Sequence, residues 1–384
     1  MAYQTGTINA STDFTAILDS FLLANGWTKV NNNVNISITS LTYSNTSTCS
    51  LTFPSAALNA VPVGAKLTWT GSGAVNVYLS SKSSLTGGLC ITDSTFTNPG
   101  AVSVNFAWTT YTKGTKRINF ACGIHNTPTG LISTAQYILF DLYHLASGNH
   151  NTTVNKLPCV RFDPAQSELP ATYHIFSNNT PDTVSGVFVF GAATQHFHLG
   201  DLGKVHTSAY VGGEFFCASS SILIGTAIKN CGYTETSMLL GNSSHGGGAI
   251  FTNTNSGVAG GLLHCEIDST LYSASANPTG AGIAGINEPT CRKFYRSLND
   301  WNGQALLVTP EIYFGATGNT FKMYLGYIEH LRFLRIDNYN IGDTITLGAD
   351  QWKVFPFSQK NASLRDGGIG GLSGTGGFAC RYTP

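Results

Sequence analysis

A chain of 384 residues is longer than one ordinary core fills, so two or three domains are expected. Charged residues make up only 10% of it, and 20 Lys+Arg balance 20 Asp+Glu, leaving no net charge. Such a surface cannot track phosphates, which excludes nucleic acid as a partner, and it lacks the usual protection against self-association.

The opening stretch, MAYQTGTINAS, has no basic region and no apolar run, so it does not read as a secretory signal. No window reaches the ~18 uninterrupted apolar residues of a membrane span. Synthesis in the cytoplasm and no membrane span are the expectation. In the next stretch, STDFTAILDSFLLANGW, the residues Phe14, Ile17, Leu18, Phe21 and Leu22 fall on one face of a helix. Ser11 or Thr12 can cap its start, Asp13 suits the positive end of the dipole, and Asn25-Gly26 supplies a left-handed stop. That apolar face either docks on a sheet of the same chain or serves assembly with a neighbouring subunit.

Residues 33–122 change character. NVNISITSLTY, CSLTF, KLTWTG, AVNVYLS, VSVNFAW and KRINFAC are short alternating runs, separated by Asn, Ser, Gly and Pro. This predicts a small β-sandwich module, inserted on the main body, with a hairpin around Ser44-Asn45-Thr46. Residues 1–32 then form an N-terminal helix and docking segment.

From 123 to 384 the strands are heavier in aromatic residues, as in ATYHIFSN, SGVFVFG, EIYFGA and FKMYLGYIEHLRFLRI. Val187 to Phe190 is apolar on both faces and predicts a central strand, joined by a hairpin to His174-Ile175-Phe176. Thr344 to Phe355 reads as strand, three-residue turn, strand, and GFACRYTP as a final edge strand. The glycine-rich stretches 241–261 and 366–377 read as loops that order against a neighbour. The fold class expected is mainly β: an N-terminal amphipathic helix, a small β-sandwich module and a larger aromatic-rich β-sandwich-like domain.

Nine cysteines, an odd number with no CxxC pair, support neither a disulfide framework nor a zinc ribbon. They read as small buried hydrophobes of a protein folded in a reducing compartment. The stretch GVFVFGAATQHFHLGDLGKVH holds three histidines. On a strand, His196 and His198 point to the same side and could reach one metal, with Asp201 or His206 as a third ligand. Their other reading is structural hydrogen bonding on an aromatic sheet. Glu266 with Asp268, and Glu214 with Asp201, are conceivable carboxylate pairs for glycoside cleavage, but solvated or turn carboxylates explain them as well. Ser243, Ser244 and His245 adjoin in GNSSHGGG without implying a triad, and GxSxG and HExxH are absent. No catalytic residue and no cofactor is assigned.

Three stretches resemble a known family. FTAILDSFLLANGWT is similar to the N-terminal segment of many tailed-bacteriophage tail and virion proteins. VFVFGAATQHFHLGDLGKV with GGEFFCAS resembles their central segment, and GDTITLGADQWKVFPFSQKN with RDGGIGG and GFACRY their C-terminal end. The resemblance implies a structural component of a tail or baseplate in the virion, whose partners are other tail proteins and its own copies in three- or six-fold symmetry. The alternative is an adhesin for host surface glycan. Trp69, Tyr78, Trp108 and Tyr111 of the 33–122 module are then candidates to stack on sugar rings, against core packing as their other role. A glycan-cleaving tail enzyme is the third reading.

Overall fold

A computed structural model describes residues 1–10, 13–37, 39–45, 48–52, 61, 65–69, 77–84, 87–92, 103–113, 116–121, 125–126, 132–133, 136–139, 159–162, 169–203, 215–219, 222–224, 227–229, 264–267, 270–273, 282–285, 305–315, 322–356, 360 and 376–383. These residues are mainly β, in several antiparallel sheets, with one α-helix. That helix is not long and apolar enough to cross a membrane. The chain divides into two compact units, residues 1–9 with 166–384, and residues 10–165.

In the unit 10–165 the helix spans Asp13–Ala24. Asp13 accepts the Ala10 N–H at 3.0 Å just ahead of the helix, and the expected caps, Ser11 and Thr12, lie outside the described residues. The end is a paired left-handed stop. Gly26 sits at φ 82, its N–H bonds the Leu23 carbonyl, and the Trp27 N–H bonds the Leu22 carbonyl at 3.1 Å. The Asn25 side chain takes the Phe21 carbonyl at 2.8 Å. The Asn25-Gly26 stop expected from the sequence is therefore the one observed. Phe14, Leu18, Phe21 and Leu22 are buried within the single chain, while Ile17 is half-buried. Asp19 accepts from Tyr111 and pairs with Lys29 at 2.9 Å.

The sheet of this unit runs Cys159–Phe162, Gln136–Leu139, Lys116–Ala121, Ser103–Lys113, Lys66–Trp69, Val77–Ser84, Gly87–Thr92, Thr48–Thr52, Ser40–Asn45. The strand Thr28–Ser37 joins it through Ser103–Lys113. Ser103–Lys113 buries Val104, Phe106, Trp108 and Thr110 in alternation, as a strand with one face in a core must. The hairpin expected around Ser44-Asn45-Thr46 is present, with Asn45 opposite Thr48.

The other unit holds a seven-stranded sheet in the order Ala2–Ile8, Ala171–Asn179, Asp182–Phe190, Ala193–Asp201, Phe215–Ser219, His264–Ile267, Thr270–Ser273. Asp182–Phe190 is interior and covered on both faces, with Val187 and Phe188 each 0% exposed. Its hairpin with Ala171–Asn179 sets His174 opposite Val187 and Phe176 opposite Ser185. The partner strand Ala2–Ile8 pairs Tyr3 with Phe176 and Thr5 with His174.

A second sheet has four strands in the order Leu331–Arg335, Gly376–Tyr382, Asp350–Pro356, Thr344–Leu347. Two expectations are corrected here. Gly376–Tyr382 is an interior strand, not an edge: Phe378, Ala379 and Cys380 on its two alternating faces are all buried. The turn after Thr344–Leu347 has two residues, Gly348 and Ala349, because Leu347 pairs directly with Asp350. Smaller sheets comprise Gly282–Gly285, Glu311–Gly315 and Lys322–Tyr327, and the pair Ile222–Ile224 with Ala227–Lys229.

The seven- and four-stranded sheets face each other through aromatic rings. Phe176 lies 6.2 Å from Phe355 and 6.3 Å from Tyr382, and Tyr3 lies 4.9 Å from Tyr382. The Thr194 hydroxyl donates to the Pro356 carbonyl at 2.7 Å, a bond between the two sheets. The far side of the four-stranded sheet buries Leu334, Trp352, Val354 and Ala379 with Ile336, beneath Ala305, Leu307, Tyr339 and Ile345.

Candidate functional site

The histidine stretch forms the strand Ala193–Asp201. Its pleat turns His196 and His198 toward the four-stranded sheet and Phe197 and Leu199 to the opposite face. Phe197 fits there only because position 186, across the ladder, is glycine: a Cβ at Gly186 would overlap the Phe197 ring. Phe188 lies 6.3 Å from Phe197 and extends the same apolar face.

His196 and His198 are 0% and 1% exposed. His196 Nδ1 lies 3.0 Å from His198 Nε2, and His198 Nδ1 lies 2.8 Å from the Ser185 hydroxyl. Phe378 covers both rings, at 4.3 Å from His196 and 5.3 Å from His198. The three polar groups form a line whose hydrogen bonds can run in either direction, according to the tautomers of the two imidazoles. With one proton per imidazole, each contact has one donor and one acceptor. Burial, and next the neighbouring His196, hold the His198 pKa well below the usual imidazole value.

A second polar group lies nearer the sheet edge. The Tyr3 hydroxyl lies 2.8 Å from His174 Nδ1. The Lys353 ammonium sits 5.6 Å from the Tyr3 ring and 5.2 Å from the Tyr382 ring, and donates to the Gly342 carbonyl at 3.0 Å. Tyr382 shares a hydrogen bond with Thr344 at 2.9 Å. Burial, with Lys353 adding to it, pushes the His174 pKa down to about 4. Burial likewise raises the Tyr3 hydroxyl above its ordinary value. Both sets of polar side chains thus stand between the two sheets.

Among the described residues no group of three or more His, Cys, Asp or Glu gathers with metal-binding geometry. Asp201 follows Phe197 and Leu199 on the strand and is paired with Phe215. His206, Glu214, Asp268, Ser243, Ser244 and His245 lie outside the described residues. Glu266 stands on the strand His264–Ile267, opposite Leu271. Of the aromatic residues singled out for sugar stacking, Trp69, Trp108 and Tyr111 are 8%, 9% and 2% exposed, in the core of their unit. Tyr78 stands on the strand Val77–Ser84, opposite Lys66.

Sequence reasoning missed Phe378 as the cover of the histidines and Tyr3 as the partner of His174. Both contacts join segments far apart in the chain, and neither leaves a local pattern. Cys380, two residues on from Phe378, is 1% exposed, and burial pushes its thiol pKa up. It has the properties of the small buried hydrophobe expected from the sequence.

No protein-family model matches this chain, and no curated protein matches it in sequence.

Proposed function

We propose that this chain is a structural component of a bacteriophage tail or baseplate, working as a symmetric homo-oligomer among other tail proteins. Its role on this reading is mechanical: β-sandwich-like bodies supply rigid faces, and glycine-rich stretches order on neighbouring subunits. The observation that carries the reading is the burial of the His196–His198 pair beneath Phe378. The most chemistry-like stretch of the sequence is spent on cohesion between two sheets. Support also comes from the scarcity of ionic groups, which suits a surface covered by other subunits. The three stretches similar to tail and virion proteins, at the start, middle and end of the chain, point the same way.

The test is the particle itself. Virions purified from cells carrying the gene should contain the chain in a fixed multiple of copies, placed in the tail by cryo-electron microscopy. Particles that contain no copy would remove the proposal.

A further inference from the structure

Among the described residues the strand Thr28–Ser37 is an edge. It pairs along all ten residues with Ser103–Thr112, Thr28 opposite Thr112 and Ser37 opposite Ser103. Among the described residues it pairs with no other strand. Residues 28–31 are exposed, as are Asn33, Asn35 and Ser37. In antiparallel pairing, alternate residues aim both backbone groups at one neighbour. Half of this strand's N–H and C=O groups therefore point away from Ser103–Thr112.

Soluble proteins protect such an edge with proline, charge, a bulge or short length. This strand has no proline, and its pairing runs without a shift of register. Its only charged residue, Lys29, is tied back to Asp19 at 2.9 Å. From Val30 to Ser37 no charge interrupts the edge. Asn31 and Asn32 are bonded inward, to Thr109 and Thr110. Asn33 and Asn35 stand exposed on the same stretch.

We propose that Thr28–Ser37 is the edge through which two copies of this chain associate, pairing antiparallel across a two-fold axis and continuing the sheet from one copy into the next. The occupant is a second copy because the strand is self-complementary. Antiparallel pairing of identical strands is isologous, so residue i of one copy meets residue j of the other and j meets i about the dyad. Across Val30–Ser37 that brings neutral side chains onto neutral ones, and a dyad at Val34 sets Asn33 opposite Asn35. A foreign strand of either charge would find nothing here to recognise. This inference rests on the self-assembly reading above and names its surface. A dyad combines with a three-fold axis in a dihedral assembly.

The test uses the full chain with two double variants, Asn33→Lys with Asn35→Lys, and Asn33→Asp with Asn35→Asp. Both sites are exposed, so far-UV circular dichroism should be unchanged. By sedimentation velocity the wild type should be an even-numbered oligomer, and each variant alone should have half that mass. Mixing the Lys and Asp variants should restore the wild-type mass, because opposite charges then meet across the dyad. For the wild type alone, amide exchange over residues 28–37 should slow as concentration rises. Exchange independent of concentration, or charged variants that keep the wild-type mass, overturns the edge assignment and leaves self-assembly standing. A wild type that is monomeric throughout overturns both.

Discussion

His196 Nδ1 and His198 Nε2 lie 3.0 Å apart, two imidazoles of one strand hydrogen-bonded to each other beneath the Phe378 ring. Ser185, on the neighbouring strand, holds the other nitrogen of His198. Removing His198 opens a void under Phe378 and leaves Ser185 and His196 each without this partner. His198→Ala should cost about 2–4 kcal/mol of stability. Urea unfolding of the variant checks this. Wild-type stability would show that the pair does not hold the sheets together.

The same burial makes the unit 1–9 with 166–384 acid-sensitive. Unfolded histidines take their protons near pH 6.5. In the fold, burial and Lys353 push His174 down to about 4. Burial pushes His330 down to about 4, against the opposing pull of Glu329. His198 lies well below the ordinary value. As pH falls from about 6.5 toward 4, the unfolded chain binds protons that the folded one refuses, so stability falls. Above pH 6.5 it is fully present. Denaturant midpoints followed by Trp352, buried in this unit, should decline through that window. A flat profile between about pH 7 and 4.5 contradicts the assignment of neutral buried imidazoles.

Gly186 faces Phe197 across the ladder, and any Cβ there overlaps the ring. Gly186→Ala should destabilise by about 1–3 kcal/mol, as overpacking does. A paired Phe197→Leu change should recover part of that loss, which a double-mutant cycle measures. Simple addition of the two costs would show that the residues are not coupled.

Gly26 holds φ 82 at the helix stop. Gly26→Ala should cost about 1 kcal/mol, since a side chain is strained in that conformation. Thermal unfolding of the unit 10–165 should register the shift, and no shift would mean the left-handed stop is not what ends the helix.

What was legible in the sequence was local. The helix phase from Phe14 to Leu22 and its Asn25-Gly26 stop depend on neighbours within one turn, and the structure repeats both. Val187–Phe190 announced itself by being apolar on both faces, which only an interior strand explains. The strand Ala2–Ile8 did not, because only Ile8 is buried and its pairing partner lies beyond residue 170. Gly376–Tyr382 was misplaced at an edge for the same reason. Its alternation suggested one wet face, whereas Ala379 belongs to a buried cluster packed by Ala305, Leu307, Tyr339 and Ile345. The direction of His196 and His198 followed from their spacing, but their cover did not. Phe378 reaches them from a strand nearly two hundred residues later, and no periodicity encodes that meeting.

On the proposed reading, so charge-poor a chain completes itself among its own copies. Native mass spectrometry of the purified full chain over a range of concentrations tests it most directly. One closed multiple of the chain mass should be present across the range. A monomer at every concentration would contradict it.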